Sequence, residues 1–430
     1  MSADNIKIGM LGLGTVGRGV YRIITGNGEN IKRKIGAGLE IKKILVRDLS
    51  KDRGVEVDPR LLTSDINDII EDQEIKIVIE VMGGIGPALD FVKLALQKGK
   101  SVVTANKDMI AVYGKQLFEL AEDNQADLLF EASVAGGIPI IRPLKQCLAA
   151  NRINQVIGII NGTTNYMLTK MTKEGSDFEE VLKEAQEMGY AEANPASDIE
   201  GYDAARKLAI LASIAFNSRV VLDDVYVEGI TKITATDISY AGELNYTVKL
   251  LGIAKETEEG VEVRVHPTLI PVDHPLAAVN DVFNAIFVSG DAVGDTMFYG
   301  RGAGEMPTAS AVVGDVMDAA RDLLRNVPGI ISCTCYDEKP VKDMGLVECR
   351  YYIRIQVSDR PGVLASIAYA FSDKEVSLAT VLQKQTDSVT AEIVLVTHKV
   401  REKNMREALE IIKHLSSVKD ISNVIRVEGD

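Results

Sequence analysis

A glycine-rich turn set between a strand and a helix constrains this chain more than any other feature. Gly12-Leu13-Gly14-Thr15-Val16-Gly17 follows an apolar run, Ile6–Met10, and opens a helical stretch through Val20-Tyr21-Arg22-Ile23-Ile24. The first Gly permits a tight turn. The second lets backbone amides approach a pyrophosphate, and the third brings helix and strand together. The helix start then offers unpaired N–H groups to the anion. Gly-x-Gly-x-x-Gly alone can be a plain turn. Its position between strand and helix, about ten residues from the first residue, makes this one a dinucleotide site.

The surrounding pattern agrees. Strands are expected at Ile6–Met10, Ile41–Val46, Ile75–Val81, Ser101–Thr104 and Asp127–Glu131, separated by helix-period stretches such as Phe91-Val92-Lys93-Leu94-Ala95-Leu96. Strands alternating with helices predict a Rossmann-type, doubly wound parallel sheet over 1–145. From 146 to 330 the pattern becomes α+β, with strands at Gln155–Ile160, 225–230, 261–265 and 283–289 and helices at 178–189 and 203–216. Residues 332–349 are polar and mixed, as in a linker. From 350 to 430 the order is strand Tyr351–Val357, helix Gly362–Lys374, strands Val376–Gln385 and Ala391–Val396, helix Glu402–Leu415 and strand Val418–Val427. That βαββαβ order predicts a ferredoxin-like module, so the whole is a three-part α/β chain.

Composition removes several function classes. The net charge of −14 argues against a nucleic-acid partner, because phosphate neutralisation needs clustered Lys and Arg. Every apolar stretch is broken well before the roughly 20 residues of a membrane span. Met1-Ser2-Ala3-Asp4-Asn5 carries no basic region ahead of the first apolar run, so no export signal is read and a cytoplasmic location is expected. Cys147, Cys333, Cys335 and Cys349 are then expected as free thiols. Cys333-x-Cys335 is half a metal site at most, with no His or second Cys pair at zinc-like spacing.

Three further segments carry candidate chemistry. The second strand ends Leu45-Val46-Arg47-Asp48; an acid there holds the ribose diol of NAD, whereas an Arg suits the 2′-phosphate of NADP. With Arg first, NADP is favoured and NAD remains open. The fourth strand ends Val103-Thr104-Ala105-Asn106-Lys107, and ligands of open α/β sheets sit beyond such strand ends. The block Gly189-Tyr190-Ala191-Glu192-Ala193-Asn194-Pro195-Ala196-Ser197-Asp198-Ile199-Glu200-Gly201-Tyr202-Asp203-Ala204-Ala205-Arg206-Lys207 crowds acids ahead of an apolar helix. Asp203 and Lys207 share a helix face. Acids placed before a buried helix are unfavourable unless they bind something.

These segments, with Glu-Ala-Ser-Val-Ala-Gly-Gly-Ile-Pro (131–139) and Gly-Ile-Ile-Asn-Gly-Thr-Thr-Asn (158–165), resemble the homoserine dehydrogenase family in content and order over about 1–330. The 187–207 block is the specific part; the glycine loop is not. The tail from 350, with Asp359-Arg360-Pro361-Gly362-Val363-Leu364 at its first turn, resembles an ACT domain.

The resemblance implies reversible NAD(P)H-dependent reduction of L-aspartate 4-semialdehyde to L-homoserine. It makes Lys207 the proton donor to the forming alkoxide and puts Lys107 beside the cofactor and reacting oxygen. Glu192 and Asp203 would hold the substrate, with Asp198 nearby. Cofactor contacts would come from Gly12, Gly14, Thr15, Val16, Gly17, Arg47, Thr104, Lys107, Gly189 and Gly304. The stretch 131–138 would hold a monovalent cation such as sodium through Glu131, Val134, Gly136 and Ile138. Ser197 departs from relatives that place an acid there, which weakens local charge. A homodimer or homotetramer, with threonine as the amino-acid effector of the ACT domain, completes the expectation.

Hydride addition to an aldehyde builds negative charge on oxygen, so cationic donors stabilise the transition state more than the ground state. Two other readings compete. Aspartate-semialdehyde dehydrogenase needs a Cys nucleophile, and before residue 330 the chain offers only Cys147, in an apolar helical setting. A catalytically silent dinucleotide and amino-acid sensor would not need both Lys107 and Lys207.

Overall fold

The computed structural model describes residues 5–330, 332–385 and 389–429. Met1–Asp4, on which the reading of the chain start rested, lie outside the described residues. The described chain packs into two compact units, each assembled from separated stretches. The first comprises Met1–Ile153, Arg206–Leu222 and Asn284–Glu338; the second comprises Asn154–Ala205, Asp223–Phe283 and Lys339–Asp430.

The first unit is built on a six-stranded parallel sheet. Its strands, in spatial order, are Leu62–Thr63, Leu39–Leu45, Ile6–Leu11, Ile75–Glu80, Ser101–Thr104 and Leu128–Leu129. Chain order reverses between Ile6–Leu11 and Ile75–Glu80, so a crevice opens at the carboxyl ends of those two strands. The inner strands are buried on both faces, as their near-continuous Ile/Val content dictates. Helix Glu305–Arg325, which the sequence pattern did not announce, returns to this core through Ala309, Val312, Val316 and Ala320. It crosses helix Thr15–Gly26 closely because Gly19 has no side chain. A Cβ there would meet the Ala309 methyl at 2.8 Å.

The second unit carries a sheet in the order Ile153–Ile159, Tyr246–Thr257, Gly260–Pro271, Val418–Val427, Glu348–Ser358, Thr390–Thr397 and Leu378–Gln385. The last four strands, with helices Val363–Asp373 and Glu402–Lys413, form the expected βαββαβ module, whose core includes Ile353, Ile367, Phe371, Leu395 and Ile412. That module is not an appendage of its unit. Its final strand pairs in parallel with Gly260–Pro271, setting Thr268 opposite Arg426 and Leu269 opposite Val427.

Three elements differ from the sequence expectation for local reasons. The strand expected at Asp127–Glu131 is only Leu128–Leu129, because the chain then turns into a 3-10 helix, Glu131–Ser133. The strand Tyr246–Thr257 is long and pairs over its whole length with Gly260–Pro271, yet Lys249, Gly252 and Lys255 interrupt its apolar pattern. Helix Gly162–Glu174 begins with Gly-Thr-Thr-Asn, a poor helix start by propensity. The Asn161 side chain nucleates it by accepting the Thr164 amide at 2.9 Å. No helix among the described residues is long and apolar enough to cross a membrane.

Candidate active site

The glycine loop has the geometry its sequence requires. Gly12 has φ +101°. A Cβ on Gly17 would lie 2.5 Å from the Gly12 carbonyl oxygen, so helix and strand meet only without one. Around Gly14 the requirement is the opposite: nothing lies within 4 Å of where its Cβ would be. Helix Thr15–Gly26 starts there with no side-chain cap, leaving Thr15, Val16 and Gly17 at an open N-terminus. The loop borders a groove of about 750 Å³ whose far wall is cationic, with Arg47, Lys51 and Arg53 around Asp48. A pyrophosphate fits the open turn, and an adenosine moiety fits the groove.

Asp48 is already engaged. Its Oδ1 accepts the Ser50 amide at 2.8 Å and the Ser50 hydroxyl at 2.7 Å. These bonds hold its carboxyl below the ordinary value. Arg53 donates to the Asp48 and Lys51 carbonyls, and its own carbonyl accepts from Arg18 at 2.9 Å. The basic loop is therefore laced to the cofactor helix. Lys51 and Arg53 were not singled out by sequence; they stand in a Gly/Asp-punctuated stretch with no motif spacing to mark them.

At the other side of the switch point lies a further residue the sequence reading missed. Glu80 ends strand Ile75–Glu80 and is fully buried. Its carboxylate accepts the Thr104 hydroxyl at 2.5 Å and the Met82 and Gly83 amides at 2.9 and 3.3 Å. Burial pushes its carboxyl up, against these bonds. Thr104 in turn accepts the Asn106 amide at 3.0 Å. Asn106 caps helix Lys107–Asp123 through Met109 and donates to the Gly84 carbonyl at 2.6 Å. One buried acid thus fixes the Thr104–Lys107 corner. Lys107 is the first residue of its helix and is half-buried. The signal that could have found Glu80 is an acid at a strand end followed by Gly83-Gly84.

Lys207 lies on helix Tyr202–Ala215, also half-buried. Arg206, beside it, pairs with Asp108 at 3.1 Å, tying this helix to the first turn of the helix that begins with Lys107. Asp203, one turn earlier on the same helix, is buried. The amide nitrogen of Asn161 donates to Asp203 Oδ2 at 2.8 Å and to Asp198 Oδ1 at 2.7 Å, holding two carboxylates against one neutral group. An arrangement of two acids around a neutral donor suits a cationic ligand group. Asn165 differs: its amide nitrogen is spent on the Val279, Asp281 and Phe283 carbonyls, so it braces the helix. Glu192 is exposed on a loop hung from helix Phe178–Glu187, where Gln186 donates to its carbonyl at 3.1 Å. Gly189 takes φ +74° at the start of that loop, and Gly304 takes φ +124° ahead of helix Glu305–Arg325.

Glu131 is buried, and its carboxylate accepts three amides: Ile140 and Ile141 on Oε1 at 2.6 and 2.8 Å, Arg142 on Oε2 at 2.8 Å. One Oε2 lone pair is left over. Ala135 and Gly136 follow with φ +56° and +49°, turning the backbone sharply between Val134 and Ile138. Behind Glu131, Asp315 accepts the Glu131 amide at 2.8 Å and the Arg142 guanidinium at 2.8 Å. Burial, then the Glu131 charge, raises its carboxyl to about 7. Among the described residues no three His, Cys, Asp or Glu side chains group as metal ligands.

Comparison with known proteins adds independent evidence. The profile for the homoserine dehydrogenase NAD-binding domain matches residues 12–131, that for homoserine dehydrogenase matches 139–317, and that for the ACT domain matches 351–416. The chain is 46% identical to a homoserine dehydrogenase of Bacillus subtilis over 428 residues, covering 99% of both chains. It is similar to the crystal structure of a homoserine dehydrogenase from Thiobacillus denitrificans, with a TM-score of 0.94, 43% identity and coverage of 100% and 99%. A hyperthermophilic archaeal homoserine dehydrogenase solved in complex with NADPH aligns with 74% of this chain and 98% of its own, with a TM-score of 0.63 and 27% identity. The glycine turn, the lysine-bearing helices and the acid-holding asparagine thus stand in a chain that belongs to the homoserine dehydrogenase family, NAD(P)-dependent oxidoreductases acting on a CH–OH group, with an ACT domain at its C-terminal end.

Proposed function

We propose that this enzyme uses NADP in preference to NAD, protonates the nascent alkoxide through Lys207, and is regulated through its ACT domain. The observation that carries the cofactor preference is the engagement of Asp48 with Ser50 in a wall otherwise made of Arg47, Lys51 and Arg53. An acid tied into its own turn is a poor partner for a ribose diol, whereas three nearby cations suit a 2′-phosphate. The archaeal relative solved with NADPH supports the same choice. Arg47→Ala is expected to weaken NADP binding by about 1–3 kcal/mol and leave NAD binding nearly unchanged. Fluorescence titration of both cofactors measures this, and an unaltered NADP-to-NAD affinity ratio would place Arg47 in bulk solvent only.

The nicotinamide cofactor, when bound, supplies the hydride. The chain's own residues do the rest. Thr15, Val16 and Gly17 present amides to the pyrophosphate from the uncapped helix start, and Thr104 and Lys107 border the reacting end. Lys207 gives its proton to the oxygen as the C–O bond loses its double-bond character, while Lys107 stabilises the developing charge. Asp203, Asp198 and Glu192 bind the substrate's ammonium. Neutralising the exposed acid tests this: Glu192→Gln should raise KM for homoserine about tenfold, as for a lost charge-assisted bond, with KM for NADP unmoved. Parallel changes in both constants would remove Glu192 from the substrate.

A monovalent cation would be held by the remaining Oε2 lone pair of Glu131 and the backbone carbonyls of Val134, Gly136 and Ile138. Hard cations take oxygen ligands, and carbonyls suit a single charge. The proposal keeps 1–145 as the dinucleotide-binding segment, 146–330 as the substrate and dimer-forming segment and 350–430 as the regulatory one.

Within 350–430, helix Val363–Asp373 starts at Gly362, φ +90°, with no side-chain cap, which supports amino-acid carboxylate binding at the Ser358–Val363 turn. Threonine is the effector proposed. Deleting the module is a poor test, because Val418–Val427 is an internal strand of its unit's sheet and its removal strips a hydrogen-bonded neighbour from Gly260–Pro271. Calorimetry on the full chain is the direct one. Threonine should bind, and a coupling of 1–3 kcal/mol would shift its apparent affinity 5- to 150-fold when NADP and homoserine are present. A full chain that binds neither threonine nor a related amino acid would leave the module an assembly element alone.

A further inference from the structure

The loop that carries most of the cationic wall of the cofactor groove has little structure of its own. Residues 46–58 form neither helix nor strand. Within the loop, Asp52 Oδ1 accepts the Gly54 amide at 2.9 Å, and Gly54 takes φ +64°. The loop is held from another element. Arg18, on helix Thr15–Gly26, donates through Nη1 to the Arg53 carbonyl at 2.9 Å. Arg22, one turn further along that helix, donates through Nη2 to the Gly54 carbonyl at 2.9 Å.

Both arginines are oriented by one acid. Glu305, the first residue of helix Glu305–Arg325, accepts Arg22 Nη1 on Oε1 at 2.5 Å and pairs through Oε2 with Arg18 Nη2 at 3.1 Å. Each guanidinium therefore spans Glu305 and one loop carbonyl. The approach depends on Gly19, where a Cβ would lie 2.7 Å from the Glu305 carbonyl oxygen. Arg18 has a further need of the acid: its Nε is buried with no acceptor among the described residues. A guanidinium already short of one hydrogen bond stays in place only while its charge is matched. Lys51 and Arg53 line the groove; Arg18, Arg22 and Glu305 do not, so they act on its contents through the loop.

We propose that Glu305 is a positioning residue for recognition of the cofactor's 2′-phosphate: by holding Arg18 and Arg22 on the loop carbonyls, it fixes the stretch that carries Lys51 and Arg53. The proposal rests on the reading of that wall as a 2′-phosphate seat. A free loop must be ordered when the phosphate binds, which weakens binding; an anchored loop is ordered beforehand. Anchoring and charge act in opposite directions here. By charge alone, removing Glu305 unmasks two arginines near the groove and strengthens phosphate binding. By anchoring, the same change frees the loop and weakens it.

Titration calorimetry of the full-length protein with adenosine 2′,5′-bisphosphate and with AMP isolates the 2′-phosphate, the one group in which these probes differ. Wild type should prefer the bisphosphate. Glu305→Ala should cut that preference about tenfold, as for one lost charge-assisted contact, and leave AMP binding within about twofold. Glu305→Gln removes the same charge but keeps an acceptor oxygen, so it should lose less. Arg22→Met should shift the preference in the same direction. Its side chain is half exposed, so this variant carries the test if Glu305→Ala does not fold. In steady-state kinetics of Glu305→Ala, KM for NADP should rise with kcat unmoved, since hydride leaves from the other end of the cofactor. A preference that is unchanged or raised in Glu305→Ala or Arg22→Met overturns the proposal and leaves the 2′-phosphate reading standing. Equal losses for AMP and the bisphosphate also overturn it, assigning Glu305 to the groove as a whole. A wild type without preference for the bisphosphate removes the 2′-phosphate reading and the proposal with it.

Discussion

Lys207→Ala is expected to lower kcat by about 10²–10⁴-fold, the range a positioned general acid contributes, while NADP still binds. Lys207 sits on helix Tyr202–Ala215, whose apolar face, Leu208, Leu211 and Ala212, is fully buried, so truncating the half-buried lysine leaves the helix in place. The neighbouring Arg206–Asp108 pair also survives the change. Lys207→Arg should be no better than Ala, because a guanidinium does not release its proton near neutral pH. That distinguishes proton donation from simple charge stabilisation, for which Arg would restore much of the rate. Steady-state kinetics with homoserine, paired with cofactor titration, gives both numbers. A Lys207→Ala enzyme within threefold of the wild-type kcat would return the donor role to Lys107 or to water.

Much of this site was legible in the sequence because strand-end chemistry is local. Gly12, Gly14 and Gly17 act within six residues of one another, and a strand followed by a helix is enough to assign them. Asp203 and Lys207 were legible as a pair for the same reason: helix periodicity places them one turn apart. What escaped reading depends on partners distant in sequence. Glu80 gains meaning only through Thr104, 24 residues on, and Asp315 only through Glu131 and Arg142, more than 170 residues away. Asn161 was read as part of a turn, yet its two amide hydrogens go to acids 37 and 42 residues along the chain. Helix Glu305–Arg325 escaped for another reason. Its first turn carries Pro307 and its interior Gly314, and its buried stripe is largely Ala and Val, small residues that pack against Gly19 and give weak apolar periodicity.

The face of strand Glu348–Ser358 shows the same limit, and it yields a large expected effect on stability. Ile353, Ile355 and Val357 alternate with Tyr352, Arg354 and Gln356, a pattern that reads as one apolar and one solvated face. Both faces are covered over most of the strand: Tyr352 is fully buried and Arg354 is 7% exposed. Arg354 Nε donates to Asp237 Oδ1 at 2.7 Å, and its Nη1 donates to Glu392 Oε1 at 2.8 Å. Asp237 is completely buried in helix Ala235–Glu243, where it forms a capping box with Thr234 and also accepts from Asn423 at 2.8 Å. Tyr240, on the same helix, donates to Glu392 at 2.7 Å. Each carboxylate thus has neutral donors, but Arg354 supplies the positive charge both share. Arg354→Met keeps the volume and removes that charge, leaving the buried Asp237 and the partly buried Glu392 without their shared cation. Breaking a buried pair from one side destabilises by about 3–5 kcal/mol, well above the zero to one of an exposed pair such as Lys384–Glu243. The urea midpoint of the full-length protein should fall accordingly, with its slope unchanged. Adding Asp237→Asn and Glu392→Gln to Arg354→Met should recover part of the loss, since no buried charge then lacks its partner. A single variant that unfolds within 0.5 kcal/mol of wild type would show that water reaches this cluster and that the ion pairs carry no net weight. A triple variant no better than the single one would assign the loss to the arginine's packing rather than to its charge.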